Sequence, residues 1–293
     1  MIKKKKIAYL GPRGTYTEEA ADFLFDNDPG IELMPYPSIS DCLWATDEQT
    51  ADACVVPIEN SIEGSVNLTL DMLAHEVDLP IQAEVNVPIS QTLYVRQEGL
   101  QLHQIEKLFS HPQAIAQCRR YIKKNLPHVQ IVETKSTANA CQTVRENEDK
   151  PYAAIGSRSA RDLYGLIEVE SCIQDYENNI TRFVLCGNAL ELPESGEHKT
   201  TLMVTLPENQ GAGTLHQVLA AFAWRKINLT RIESRPTKKK LGNYYFFIDV
   251  DQLMDGVLLP GAMAELEALG CQVRLLGSYP SYMTNQKSLF VRD

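Results

Sequence analysis

The 293-residue sequence has seven cysteines but no C-x-x-C pair, and six histidines but no H-E-x-x-H or comparable cluster. An odd, unpatterned set of cysteines reads as reduced, buried thiols, which points to the cytoplasm. Scattered histidines argue against a structural or catalytic metal. No uninterrupted apolar run is long enough to span a bilayer, so no membrane helix is expected. Basic charge is also scarce. The formal net charge of −10 argues against a non-specific nucleic-acid binder, which needs a phosphate-neutralising surface. The one basic run that stands out, Lys3 to Lys6, is followed only by Ile7-Ala8-Tyr9-Leu10 before Gly11-Pro12. That stretch is too short for the apolar region of a signal peptide, so the run reads as a solvated tail.

With 44% hydrophobic and 23% charged residues, the composition is that of an ordinary globular protein with room for two domains. From residue 5 to about 190, apolar strands alternate with amphipathic helices. Lys5 to Leu10 reads as a strand, then a Gly-Pro turn, then a capping box Thr15-x-x-Glu18 opening a helix with Tyr16, Ala20 and Phe23 on one face. Strands are expected at Ile31 to Met34, Ala53 to Pro57, within 85–95, Lys107 to Phe109, Val129 to Val132 and Ala153 to Ile155. Helices are expected from Pro112, with Ile115, Cys118 and Ile122 buried, from Ser136 to Val144 and from Ser157 to Tyr164. Repeated β-then-α grammar predicts parallel sheet with helices on both faces, in enough units for two lobes.

The polar stretch Glu191-Leu-Pro-Glu-Ser-Gly-Glu-His198 reads as a linker. After it, strand Thr200 to Leu206, helix Leu215 to Phe222, strand Ile227 to Ile232, strand Tyr244 to Val250, a helix marked by Ala262, Leu266 and Leu269, and strand Gln272 to Tyr279 give βαββαβ, the ferredoxin-like plan. Broken alternation near Arg231 predicts a bulge. The division is 1–190, linker 191–199, 200–280 and tail 281–293.

Four polar clusters fall at strand ends or helix starts, where open α/β sheets bind ligands. Pro57-Ile58-Glu59-Asn60-Ser61-Ile62-Glu63-Gly64 puts amide, hydroxyl and carboxylate in one loop. Ser110-His111-Pro112-Gln113 and Ser136-Thr137-Ala138-Asn139-Ala140 open helices, where free N–H groups favour anions. In Asn178-Asn179-Ile180-Thr181-Arg182-Phe183-Val184, polar residues run into an apolar strand. The guanidinium of Arg182 matches a carboxylate in bidentate fashion, or pairs with a protein acid.

These segments, with the opening Tyr9-Leu-Gly-Pro-Arg-Gly-Thr-Tyr-Thr17, resemble prephenate dehydratases, in that family's order and over almost the whole chain. The C-terminal unit resembles the family's ACT domain, with Glu233-Ser234-Arg235-Pro236 as its E-S-R-P motif. It departs at Gly213-Thr214-Leu215, where the family usually has G-A-L. The resemblance implies a two-lobed catalytic domain like the periplasmic binding proteins, and conversion of prephenate to phenylpyruvate with loss of CO2 and water. No cofactor is expected, because aromatisation drives the reaction. Thr181 is then expected to donate toward the departing oxygen, and Arg182 to clamp a substrate carboxylate. Asn60, Ser61, Ser110, Gln113, Thr137 and Asn179 would surround the substrate, with Phe183 against its ring. Glu59, counted with the substrate-binding residues, and Glu63 would orient Arg182 or another base, or lie at the rim. The ACT domain would bind L-phenylalanine as inhibitor through Gly213, Leu215, Asn228, Glu233, Ser234 and Arg235 where subunits meet, which implies a homodimer or homotetramer. A dehydratase acting on arogenate and a non-catalytic amino-acid sensor are the rival readings. No dehydrogenase fingerprint or long N-terminal helical unit is present, so a monofunctional chain is expected.

Overall fold

The computed structural model describes residues 4–25, 28–193, 196–207, 212–238, 243–254 and 256–284. Lys3 of the basic run, two positions of the linker and the tail beyond 284 lie outside them. The first lobe comprises β1 (Lys5–Leu10), α1 (Tyr16–Phe25), β2 (Ile31–Tyr36), α2 (Ile39–Asp47), β3 (Ala53–Asn60), the two-residue β4 (Gly64–Ser65), α3 (Asn67–His75) and β5 (Ile81–Pro88). The apolar runs of β1 and β3 are buried on both faces, as interior strands require. The α1 stripe is Thr17, Ala20, Ala21 and Leu24 rather than the expected Tyr16 and Phe23, which are only half-buried. Helices α2 and α3 escape the sequence reading because α2 buries Cys42, Ala45 and Thr46 beside Leu43, α3 buries Thr69 beside Leu70, Met72 and Leu73, and the large apolar Trp44 and Leu68 lie on the exposed faces. Such faces give little hydrophobic periodicity.

The second lobe contains β6 (Thr92–Val95), β7 (Lys107–Ser110), α4 (Pro112–Gln117), α5 (Arg119–Asn125), β8 (Gln130–Glu133), α6 (Thr137–Glu146), β9 (Tyr152–Gly156), α7 (Arg158–Tyr164) and β10 (Ile167–Glu170). Its five strands run in the order β10-β6-β9-β7-β8. The single helix expected after Pro112 is two short ones, parted at Cys118 (φ −114°, ψ 19°). The chain then returns to the first lobe as β11 (Ile180–Gly187). Two crossings therefore join the lobes, and they are stitched where Ile89 N donates to Asn179 O at 2.7 Å and Ile173 N to Gln91 O at 2.9 Å.

The sheets are mixed, not parallel as the βα grammar predicted. β1 pairs in parallel with β2 and β3, but β11 lies antiparallel between β3 and β5. A strand returning from the other lobe without its own crossover helix enters from the opposite end of the sheet, which reverses its direction.

The C-terminal unit follows the expected order: β12 (Glu197–Thr205), α8 (Thr214–Ala223), β13 (Leu229–Pro236), β14 (Tyr244–Val250), α9 (Leu258–Ala268) and β15 (Gln272–Met283). The predicted bulge is present, since the β13–β14 register shifts between Leu229 and Arg231. One face of this sheet meets α8 and α9 in a core of Leu202, Val204, Phe222, Ile248 and Leu266. Its other face carries Tyr245, Phe247, Leu276 and Tyr279 into the core of the first lobe. Burying each such side chain contributes roughly 1.5–3 kcal/mol. Apolar burial therefore docks the two domains. The strand β15 also runs past the expected end at Tyr279, and its residues Ser281 to Met283 pair in parallel with β5. One ten-stranded sheet thus extends from β13 to β2 across both domains. No helix among the described residues is long and apolar enough to cross a membrane.

Candidate active site

A cavity of about 340 Å3 opens between the lobes at their crossings. Strand β11 brings Thr181 and Phe183 to it, the residue just before that strand is Asn179, the end of β3 brings Asn60, and the opening of the second lobe brings Gln91. His111, Gln113 and Gln117 come from the segment around α4, and Lys135, Ser136 and Thr137 from the start of α6.

A chain of amides fixes the polarity of this wall. Asn60 Oδ1 accepts from the backbone N–H of Ile62 at 3.0 Å and of Glu63 at 3.1 Å. Its Nδ2 must therefore point the other way, where it donates to Asn179 Oδ1 at 2.8 Å and to Thr181 Oγ1 at 2.9 Å. Asn179 Nδ2 donates to Gln117 Oε1 at 3.1 Å, and Gln91 Nε2 donates to the same oxygen at 3.1 Å. Gln117 Nε2 faces Glu63 Oε1 at 3.4 Å. Backbone N–H groups only donate and a carboxylate only accepts, so both ends of the chain impose the same orientation on every amide between them. Thr181 Oγ1 is thereby an acceptor toward Asn60, and its own proton is directed to no described residue. A hydroxyl on the cavity wall with its acceptor side already engaged presents an O–H to whatever occupies the cavity.

The sequence reading placed Arg182 in this site, and the structure corrects it. Successive strand side chains face opposite sides. Thr181 and Phe183 line the cavity, so Arg182 points through the other face of β11 toward the C-terminal domain. There its Nη1 lies 2.6 Å from Asp249 Oδ2 and 3.2 Å from Glu59 Oε2, and its Nη2 donates to Tyr279 Oη at 3.2 Å. Its Nε sits 2.6 Å from Glu84 Oε2, an ion pair too poorly aligned for a hydrogen bond. Lys199 and Arg231 complete a cluster in which three cations face Glu59, Glu84 and Asp249. Burial alone would push the carboxyls of Asp249 and Glu84 up. The facing cations outweigh it, Arg182 with Arg231 at Asp249 and Arg182 with Lys199 at Glu84, and hold both below the usual carboxylate range. Burial likewise opposes the charge on Arg182, and Asp249, Tyr279 and Glu84 overcome it.

Glu59 belongs to this cluster and not to the cavity, again by strand alternation next to Asn60. Ser61 clasps the returning chain, donating to Asn178 O at 3.0 Å and accepting from Ile180 N at 2.9 Å. Ser110 is fully buried and donates to Ile155 O at 2.8 Å, a contact within the second-lobe sheet. Gln113, Thr137, Asn179 and Phe183 do reach the cavity, and Phe183 is at once a core residue and a wall. The sequence reading missed Gln91 and Gln117. Gln117, on the amphipathic face of α4, is buried with Ala114, and a buried glutamine on a helix is the signal that would have marked it.

In the C-terminal domain, Leu215, Asn228 and Ser234 are exposed and Gly213 takes φ 91° at the start of α8. Glu233 and Arg235 instead face the first lobe. Ser65 Oγ donates to Glu233 Oε2 at 2.9 Å and accepts from Arg231 Nη2 at 2.7 Å, and Arg235 grips Asp71 through two bonds of 3.0 Å.

A two-lobed α/β domain with a polar inter-lobe cavity, joined to a ferredoxin-like domain that touches the back of the strands lining it, defines the class: a two-lobed cleft protein with an attached ferredoxin-like module. The prephenate dehydratase family profile matches residues 7–190 and the ACT domain profile residues 200–270. A prephenate dehydratase of Bacillus subtilis is 44% identical over 284 residues, covering 94% of this chain and 99% of its own length. Among solved structures, a prephenate dehydratase of Arthrobacter aurescens in complex with L-Phe shares 37% identity and a TM-score of 0.81, covering 94% of this chain and 90% of that one. The prephenate dehydratase of Staphylococcus aureus shares 29% identity and a TM-score of 0.80, covering 94% and 99%. The chain belongs to the prephenate dehydratase family, whose reaction is that of a carbon–oxygen lyase, and it carries the ACT domain at its C-terminal end.

Proposed function

We propose that the inter-lobe cavity converts prephenate to phenylpyruvate. The ring carboxylate leaves as CO2, its bonding pair enters the ring, and the ring C–O pair departs with hydroxide. The observation that carries this reading is the directed hydroxyl of Thr181, whose proton the amide chain leaves for the cavity. Threonine is too weak an acid to protonate the leaving group by a matched pKa. Its hydrogen bond strengthens as charge grows on the departing oxygen, and preorganised donors act in this way. Asn60, Asn179, Gln117 and Gln91 hold that donor in place, while Gln113, Thr137 and Phe183 shape the rest of the wall.

The ACT domain is read as a phenylalanine sensor in which Gly213, Leu215, Asn228 and Ser234 meet the effector. The relative bound to L-Phe supports this. Glu233 and Arg235 are read as transmitters, because their contacts lie on Ser65 and Asp71 of the first lobe. Residue 65 pairs with Glu59 through β4, and the next pair in that ladder, Gly64 with Asn60, reaches the cavity. Assembly as a homodimer or homotetramer through the ACT domains is supported by Leu215 and Ile232, 38% and 44% exposed, the latter on the sheet's edge strand β13. The division 1–190, 191–199, 200–280 and 281–293 and a cytoplasmic location belong to the same reading, the latter in keeping with six buried free cysteines.

Purified protein given prephenate should form phenylpyruvate, read by its ultraviolet absorbance in alkali, and should do so less in the presence of phenylalanine. Turnover of arogenate but not prephenate would move the assignment to the amino substrate. Turnover of neither would leave a binding protein.

A further inference from the structure

We propose that Lys135 holds the side-chain carboxylate of the substrate, the one that survives the reaction; the proposal rests on the dehydratase reading above. The substrate is a dianion, and Arg182 is committed to Asp249, Glu84 and Glu59 outside the cavity. Among the residues lining the inner cavity Lys135 is the one lysine or arginine, and Arg13, which lines only the adjoining mouth, is paired with Glu18 at 3.4 Å. Its ammonium makes no hydrogen bond or ion pair with the described residues. The neighbouring Ser136 hydroxyl is already used, accepting from Asn139 N at 3.0 Å and donating to Asn139 Oδ1 at 2.8 Å, so it does not compete as the anion's donor.

Position supports the same assignment. Lys135 lines both the inner cavity and an adjoining mouth of about 700 Å3, and Thr181 lines the inner cavity alone. In prephenate the hydroxyl and the carbon bearing both acidic groups lie on opposite sides of the ring. A hydroxyl at Thr181 therefore leaves the acidic end toward the junction where Lys135 stands.

The chemistry decides which carboxylate it takes. The dianion becomes CO2, hydroxide and a phenylpyruvate monoanion, so the ring carboxylate loses its charge as its C–C bond breaks. A cation on that group would stabilise the starting state more than the transition state and slow the reaction. The side-chain carboxylate keeps its charge throughout. A cation there binds substrate, transition state and product alike, which lowers KM without raising the chemical barrier.

The test is Lys135→Gln beside Lys135→Arg, with steady-state kinetics on prephenate and calorimetry with phenylpyruvate. Lys135→Gln should raise KM roughly 10-fold, the low end for removing a charge-assisted hydrogen bond at an exposed group. It should weaken phenylpyruvate binding by a similar factor, with a much smaller change in kcat. Lys135→Arg should recover most of both. Unchanged phenylpyruvate affinity in Lys135→Gln, or a loss confined to kcat, overturns the assignment, as does absence of phenylpyruvate binding to the wild type. Because that binding needs no turnover, failure of the wild type to convert prephenate counts against the dehydratase reading separately.

Discussion

Thr181 and Arg182 are adjacent on β11 and face opposite sides of it. The hydroxyl of Thr181 lines the inter-lobe cavity, while the guanidinium of Arg182 lies 2.6 Å from Asp249 in the ACT domain. One strand thus lines the cavity with one face and meets the ACT domain with the other. On the proposed reading, a shift of the ACT domain that moves Asp249 would act on the backbone that positions Thr181. Ser65 is a second point of contact between the domains, joining Glu233 to β4, which pairs with the end of β3 at Asn60.

Removing the Thr181 hydroxyl tests the catalytic face. Thr181→Val keeps shape and β-branching, so the fold should be retained by circular dichroism. Loss of a directed donor costs roughly 2.7–4 kcal/mol in the transition state, and kcat should fall about 100- to 1,000-fold. A kcat near wild type would reject the role.

Gln117 is the centre of the amide chain. Gln117→Leu removes the acceptor shared by Asn179 and Gln91 and leaves two buried N–H groups unpaired. Each unpaired group costs about 1–3 kcal/mol. Thermal unfolding should show a lower Tm, and kcat should drop with little change in phenylalanine binding by calorimetry. A variant with wild-type Tm and kcat would mean the chain does not set the orientation of Thr181.

Arg182 should affect coupling more than substrate affinity. Arg182→Lys keeps charge but not the fork that spans Glu84, Asp249 and Tyr279. KM for prephenate should change little, while Tm falls and the response to phenylalanine weakens. Breaking the cluster fully with Arg182→Met should destabilise by about 3–5 kcal/mol, because buried carboxylates lose their partner. A sharp rise in KM for Arg182→Lys, with regulation intact, would return Arg182 to the substrate.

Ser65→Ala separates regulation from catalysis. It deletes the hydroxyl that joins Glu233 and Arg231 to the catalytic loop, at a residue that does not line the cavity. Activity without effector should stay close to wild type, and the phenylalanine concentration needed for half-inhibition should rise several-fold. An unaltered inhibition curve would exclude this route.

Acid should loosen the docked domains. Asp249 and Glu84 are held below their ordinary values when folded, so between those lowered values and about 4, where unfolded carboxyls titrate, the unfolded chain binds more protons. Their contribution is complete above that range and is lost as pH falls through the folded values. Tm should be nearly flat from about pH 7 to 5 and drop below about 4. Burial holds Glu19 and Asp22 above their ordinary values, which acts in the opposite sense, so the cluster's share is the difference in acid-side Tm loss between wild type and Arg182→Met, and no difference would contradict its charge state.

The sequence by itself determined the local order: β1 and its Gly-Pro turn, the α4, α6 and α7 starts, the βαββαβ unit, the bulge at Arg231 and the family motifs. Each is written in the spacing of neighbouring residues. Strand alternation also forbids Thr181 and Arg182 from sharing one face, a constraint the motif-based reading passed over. Which face would meet the cavity was decided only by tertiary structure, because it depends on what packs against each side of β11. The same holds for Gln91 and Gln117, which sit on separate elements and become one network with Asn179 only when two chain crossings bring the lobes together. It holds for Asp249 too, a buried carboxylate in an apolar strand whose partner lies in the other domain. Local pattern carries the period of each element, and only packing carries the identity of the partner across it.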